Sequence, residues 1–356
     1  GVVLSDWNDL FRMIDLHEYF PNTEDGRRSA VKAAIEAGVD MAMLGGCGLT
    51  PPEFVSYVQD LVSSGDLCEE RIDQSVERIL ELKRDLGLFE TPYADPSRLS
   101  ALVGNDESMQ LANDLACESM VLLKNDPVTE DGSSALPLSG DENVLVTGPG
   151  VDPETGIEDR ILMQYGGWTL GWQGIQSGSL TETGPRPAGT TMVAELENAL
   201  GSGQLTHVPT DFDRSRWWSG PEDTTHENGE YGFTDQQRTA VERAAPDADA
   251  VVVVLGEGPH NEGFGDRDSL RLPATQREIL QTVVENTSED TTIVGVEYAG
   301  GPRGRAESFD HLDALLFAGQ PGSGGGTAIA DTLLGDYNPS GRLGFTWPQR
   351  VGHAPN

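Results

Sequence analysis

Lysine is nearly missing from this chain of 356 residues, with Lys32, Lys83 and Lys124 the only three. Basic side chains are scarce altogether, 23 against 59 acidic ones, for a formal net charge of −36. Neutralising phosphates takes clustered positive charge, so nucleic acid and anionic membrane surfaces are poor partners. Cysteine is sparse and odd in number: Cys47, Cys68 and Cys117 lie far apart with no CxxC pair. That excludes a disulfide framework and a CxxC metal site. No apolar run approaches the roughly 20 residues of a membrane-spanning helix. The six histidines form no HExxH pattern and meet no triad partner. No signal peptide is visible, but the chain opens on Gly1 without Met. Export is therefore open between an extracellular and a cytoplasmic place in a high-salt organism.

An ordinary apolar content of 37% and this length suffice for two domains and a sizeable core. The acidic residues are spread along the whole chain rather than gathered in a tail. Such a surface stays hydrated in concentrated salt, where repulsion among carboxylates is screened within roughly 3 Å at 1 M. Lysine scarcity with arginine retained favours a halophilic source over a merely soluble acidic protein.

The most telling stretch is Gly1-Val2-Val3-Leu4-Ser5-Asp6-Trp7. Its apolar run reads as a buried strand. The aspartate and indole at its end suit a carboxylate aimed into a sugar pocket. A lone strand needs partners for its backbone groups, so the chain is expected to be a C-terminal portion of something longer.

Residues 1–90 alternate short strands with helices. Helices are expected over 28–37, 52–63 and 68–86, with a strand over 38–43 between the first two. In the last helix Ile72, Val76, Ile79, Leu82 and Leu86 share one face, and Gly87 is a good stop. This order suits the end of a β/α barrel or an open α/β sheet. A linker follows at 91–96, then a helix over 105–123, so that 91–117 connects to a second domain over 118–356. That domain has apolar strands at 144–147, 251–255, 292–296 and 314–317, with helices at 191–200, 274–285 and 327–334. Near-continuous apolar strands between helices imply a mostly parallel sheet covered on both faces. The polar stretch 211–228, with Trp217 and Trp218, reads as an insertion, and no internal repeat is apparent.

Several motifs, in order, resemble glycoside hydrolase family 3, the exo-acting β-glucosidase and β-glucan exohydrolase group. They are Ser5-Asp6-Trp7, the stretch from Glu36 to Met41, the stretch from Arg71 to Leu80, and Gly87-Leu88-Phe89-Glu90. Val121-Leu122-Leu123-Lys124-Asn125, Gly167-Trp168-Thr169-Leu170-Gly171-Trp172-Gln173-Gly174, the loop Gly256 to Asp266, and Gly335 to Leu343 complete the set. The resemblance implies an incomplete (β/α) barrel entered near its seventh strand, followed by an α/β sandwich domain. It places the active site between them and implies an exo-acting, retaining release of terminal β-D-glucose from a β-glucoside or β-glucan oligosaccharide. No cofactor or metal is implied, and the oligomeric state is open.

Retaining hydrolysis needs two carboxyl groups roughly 5–5.5 Å apart, one a nucleophile and one an acid/base. The resemblance gives Asp6 as nucleophile, with Arg12 as a neighbouring cation, and Glu262 as acid/base. A proton donor is expected to be buried beside another negative charge. Glu257 and Asp266 compete with Glu262 in the same loop. Trp7 and Trp172 are candidate walls for a sugar, with Trp168 as support; core packing is the plainer reading of each. Gly322 to Gly326 lacks the lysine of a phosphate loop and reads as a structural turn. His226, Glu227 and Glu230 read as solvated surface rather than a cation site. Rival functions are a β-N-acetylglucosaminidase or β-xylosidase of the same family, and a non-catalytic fragment or carbohydrate-binding module.

Overall fold

A computed structural model describes all residues except 46–47, 130–131, 152–162, 170, 175–188, 202, 212–232, 263–269, 304–308 and 349–356. The chain divides into two compact units, Gly1–Leu99 and Ser100–Asn356.

Among its described residues the first unit carries the α-helices α1 (Asp9–Asp15), α2 (Glu24–Glu36), α3 (Pro51–Ser63) and α4 (Glu69–Asp85). The Thr23 hydroxyl caps α2 by accepting from the Gly26 amide at 3.1 Å. A reciprocal Thr50–Glu53 box opens α3, with prolines in its first turn. Gly87 turns left-handed just past α4 (φ 69°), the stop its position predicted. Leu10, Val31, Ala34, Ile35, Leu49, Tyr57, Leu61 and Leu67 form a small core.

Two expectations are corrected in this unit. The strand expected over 38–43 shrinks to one parallel bridge, Leu4 with Met41. The apolar face of α4 stays largely outside: Val76, Leu82 and Leu86 are exposed, and Ser75 is the helix's only buried residue. Polar contacts fasten α4 instead. The Asp40 carboxylate, fully buried, accepts from Ser75 at 2.7 Å, Arg78 at 2.9 Å, Arg71 at 3.3 Å and the Val3 amide at 3.0 Å.

The second unit is a three-layer α/β/α sandwich. Its strands are β1 (Val121–Asn125), β2 (Val144–Val151), β3 (Leu205–Asp211), β4 (Ala250–Gly256), β5 (Thr292–Tyr298) and β6 (Ala314–Phe317). They lie in the order β1-β6-β5-β4-β2-β3, with β1 antiparallel to β6 and every other pair parallel. Side chains alternate across a strand. Val252 and Val254 therefore join one core, while Val251, Val253 and Leu255 join the other. The first core is covered by α5 (Asp106–Ser119), α6 (Met192–Leu200) and α9 (Gly325–Leu334), which supply Ala116, Leu196 and Ile329. The second is covered by α7 (Asp235–Ala244) and α8 (Ala274–Asn286), which supply Val241, Ile279 and Val283.

The helix expected over 105–123 ends at Ser119. Met120 takes an extended backbone (φ −61°, ψ 128°), and 121–125 become the edge strand β1. The glycine-rich turn before α9 is structural: a Cβ at Gly324 would stand 2.5 Å from the Ala112 carbonyl on α5. The insertion expected over 211–228 lies almost wholly outside the described residues. No described helix is long and apolar enough to cross a membrane.

Candidate active site

In the first unit, the opening segment is tied to residues 40–45. The amides of Asp40 and Met41 donate to the Val3 carbonyl at 2.9 and 3.1 Å, and the Ser5 amide donates to the Met41 carbonyl at 3.0 Å. Ser5 Oγ accepts from the Met43 amide at 2.9 Å. This pairing delivers Asp6 to the end of the segment, exposed, with one carboxylate oxygen taking the Trp7 amide at 2.7 Å. Asn8 follows, buried and left-handed (φ 60°), its side-chain oxygen accepting from the Gly45 amide at 2.7 Å. The Trp7 indole, 47% exposed, lies on Gly45, where a Cβ would come within 2.1 Å of the ring. Arg12 pairs with Asp9 at 3.6 Å rather than with Asp6, and both partners are well exposed.

In the second unit, the relevant loops leave the C-terminal ends of β4 and β5, where open parallel sheets hold ligands. Gln276 on α8 holds Gly256 at both backbone groups, donating to its carbonyl at 2.7 Å and accepting from its amide at 2.9 Å. Glu257 turns inward. Its amide donates to the Tyr298 carbonyl at 2.7 Å, and its buried carboxylate meets the Gly300 amide at 3.3 Å, His260 Nε2 at 3.2 Å and the buried Arg303 guanidinium. Four residues further the loop meets the turn that carries Gln173. The Asn261 amide donates to Gln173 Oε1 at 2.8 Å, and Gln173 Nε2 donates to the Asn261 carbonyl at 3.2 Å. Glu262 comes next, exposed and left-handed (φ 52°). The turn itself is closed by the Trp168 amide donating to the Trp172 carbonyl at 3.0 Å, with the two indole residues 68% and 41% exposed.

Glu262 is thus an exposed carboxylate one residue past an anchor to the turn that carries two exposed indoles. The sequence match decides which family this is. Residues 120–356 match the glycosyl hydrolase family 3 C-terminal domain, and residues 1–82 match the N-terminal domain of the same family. The chain belongs to glycosyl hydrolase family 3. It is 32% identical to a lysosomal beta glucosidase of Dictyostelium discoideum, over 99% of this chain and 38% of that protein. It is 29% identical to a periplasmic beta-glucosidase of Salmonella typhimurium, over 100% of this chain and 43% of that protein. The beta-glucosidase of Listeria innocua in complex with gluconolactone superposes with a TM-score of 0.74 at 26% identity, covering 98% of this chain and 40% of that one. The family 3 chain thus spans about two fifths of these relatives.

Within each unit the expected residues fall into groups. Asp6, Trp7 and Arg12 share the opening segment and α1 of the first unit. In the second, the Asn261–Gln173 contact joins the residue before Glu262 to the residue after Trp172. Of the competing acids, Glu257 has its lone pairs committed to Arg303, His260 and Gly300, whereas Asp266 lies outside the described residues. The burial expected of a proton donor is absent at Glu262, because its side chain is exposed in its own unit. His226, Glu227, Glu230, Trp217, Trp218 and Cys47 also lie outside the described residues. Among those described, no three His, Cys, Asp or Glu side chains gather as a metal site would require.

Arg303, Gln276 and Gln173 were not singled out by sequence reasoning. In the sequence Gln173 is one position of the Gly167–Gly174 motif. Its partner stands 88 residues away, so no local spacing betrays the contact.

Proposed function

We propose that this family 3 chain serves an exo-acting, retaining β-glucosidase that releases terminal β-D-glucose from β-glucosides or β-glucan oligosaccharides. Asp6 attacks the anomeric carbon and forms a glycosyl-enzyme. Glu262 donates a proton to the leaving oxygen, then takes one from water. Trp7, Trp168 and Trp172 offer ring faces to the sugar, and Arg12 adds positive charge on the side of Asp6. No cofactor takes part. The observation that carries this reading is the placement of Glu262: an exposed carboxylate one residue past a doubly hydrogen-bonded anchor, on the loop adjoining two exposed indoles. The named activities of the relatives support the choice of sugar.

The test is hydrolysis of laminaribiose and of an aryl β-glucoside in concentrated salt, following the first-formed anomer by NMR. β-Glucose is expected first. Glu262→Ala is expected to slow hydrolysis of laminaribiose, whose leaving sugar needs a proton, by about 10²–10⁴-fold, and Asp6→Ala to abolish turnover. Prior release of α-glucose, a preference for xylosides or N-acetylglucosaminides, or no turnover at all would overturn the reading.

A further inference from the structure

Gln173 is an odd residue to bury. It is 7% exposed, yet it sits between the exposed Trp172 and the left-handed Gly174 (φ 77°). Its amide engages both backbone groups of Asn261, at 2.8 and 3.2 Å, as a strand partner would. The two segments are pressed together around that contact. A Cβ at Gly167 would stand 2.7 Å from Asn261 Cβ and 2.8 Å from the His260 carbonyl. A Cβ at Gly174 would stand 2.6 Å from the Pro259 side chain. The Gly171 carbonyl accepts from the Gly174 amide at 2.9 Å, and the Trp172 carbonyl accepts from the Trp168 amide at 3.0 Å, which ties both indole-bearing residues into the same turn.

The other end of the loop is fixed separately, by Glu257 on Arg303 and Gly300. Residues 257–262 are therefore held at both ends, and the second anchor is a side chain from the aromatic turn. Glu262 follows directly in a left-handed conformation, which a non-glycine residue adopts only where its surroundings impose it.

We propose that Gln173 is a positioning residue that locks the Trp168–Trp172 turn to the Glu262 loop, so that the sugar platform and the proton donor are set as one body. The inference rests on Glu262 being the acid/base. Its physical content is preorganisation: general acid catalysis requires the donor within hydrogen-bond reach of the leaving oxygen, and misplacement of about 1 Å costs on the order of 10²-fold. A side chain that only filled space at this point would be replaceable by any residue of equal volume.

Gln173→Met keeps the volume and removes both hydrogen bonds; Gln173→Glu keeps an acceptor for the Asn261 amide and loses the donor. Two readouts are taken on the whole chain. Amide hydrogen exchange over 257–262 and 163–174 is expected to quicken about tenfold in Gln173→Met, the scale of losing one or two ordinary hydrogen bonds. It should quicken less in Gln173→Glu, while exchange in β4 and β5 stays at its original rate. The second readout is leaving-group dependence. A good leaving group departs without protonation, so kcat/KM on 2,4-dinitrophenyl β-glucoside, which reports the glycosylation step alone, should fall less than about threefold in Gln173→Met. The rate on a poor alkyl or sugar leaving group should fall roughly 10–100-fold, part of the full general-acid contribution. Unchanged exchange over 257–262 would overturn the coupling, and equal losses on both substrates would overturn its catalytic meaning. Wild-type chain that hydrolyses neither substrate would instead overturn the β-glucosidase reading. Exchange would then still decide whether Gln173 couples the two segments.

Discussion

The two units are stabilised by different physics. In the second, β4 and β5 are buried along their full length, and each strand feeds two cores at once. Burying a Val, Leu or Ile side chain contributes about 1.5–3 kcal/mol, so many independent side chains share the work of placing the 257–262 loop. The first unit has ten buried apolar residues, eight of them in one cluster, and a single strand bridge among its described residues, with Val3, Leu4, Met41 and Met43 exposed around that bridge. The segment leading to Asp6 is held mainly by hydrogen bonds and by one buried carboxylate, Asp40. Redundant apolar packing tolerates single losses, whereas a polar hub does not.

The sharpest way to break this comparison is Asp40→Ala. It removes the acceptor shared by Arg71, Arg78 and Ser75 and frees the Val3 amide, although Arg71 keeps the Ile35 and Val39 carbonyls. Removing one side of a buried ion pair costs about 3–5 kcal/mol, and the lower end applies because Arg78 is 41% exposed. Hydrogen exchange should show residues 3–5 and α4 opening while β4 and β5 keep their protection. A uniform loss across both units would contradict the division. The matching change in the second unit, Val252→Ala, removes two buried methyl groups from one face of β4. It should cost about 2–3 kcal/mol including the cavity, read by urea unfolding as a lowered midpoint of that unit with its slope unchanged.

Acid should separate the units by sign. Hydrogen bonds from the Val3 amide, Ser75 and Arg78, with the charge of Arg78, outweigh burial and hold the Asp40 carboxyl well below the usual carboxylate range. A depressed acid stabilises the fold above its ordinary pKa of about 3.9 and loses that contribution as pH falls through the folded value. In the second unit, burial, followed by Asp336 and Glu195, raises the pKa of Asp331, and burial raises that of Glu142. For a raised acid the sign reverses: its stabilisation is complete below the unfolded pKa and is lost as pH climbs through the folded one. Thermal unfolding followed from pH 7 toward pH 4 should therefore show the second unit gaining stability while the first stays level. Below pH 4 the first unit should fail. Added salt should blunt the gain in the second unit, because screening weakens repulsion from Asp336 and Glu195.

The same contrast explains what the sequence could reveal. Strands β4, β5 and β6 were legible because two-sided burial writes a continuous apolar run. The edge strand β3 was not: Leu205–Asp211 mixes Thr, His, Pro and Asp, as an edge permits. Strand β1 reads from sequence as the end of a helix, since Val121-Leu122-Leu123 is apolar in either state and Met120 carries no sign of the turn. Helix α7 went unnoticed because Val241 is its only buried residue, leaving no stripe; Thr234 with Gln237 was the available signal. On α4 the apolar spacing was read correctly as a helix, but the structure fastens that helix through Arg71, Ser75 and Arg78. For the proposed site, motif resemblance points to Asp6 and Glu262. It does not point to the anchors Gln173 and Arg303, because their contacts join segments far apart in the chain.

The finest test uses one motif that occurs in both units. Thr50 with Glu53 opens α3, and Thr234 with Gln237 opens α7, each as a reciprocal box. Losing an N-cap threonine costs about 1 kcal/mol, so Thr50→Ala and Thr234→Ala should cost the same at pH 7. They should part company in acid. The Thr50 hydroxyl and amide lower the pKa of Glu53, with Arg27 adding a smaller effect. Glu53 thus stabilises the box above the ordinary glutamate range and ceases to as pH falls through its folded value. Gln237 has no proton to gain. The cost of Thr50→Ala should shrink as pH is lowered from 7 toward 3, whereas the cost of Thr234→Ala should hold constant, measured as the difference in unfolding midpoint from wild type at each pH. Parallel curves for the two variants would mean that the Glu53 charge contributes nothing to its box.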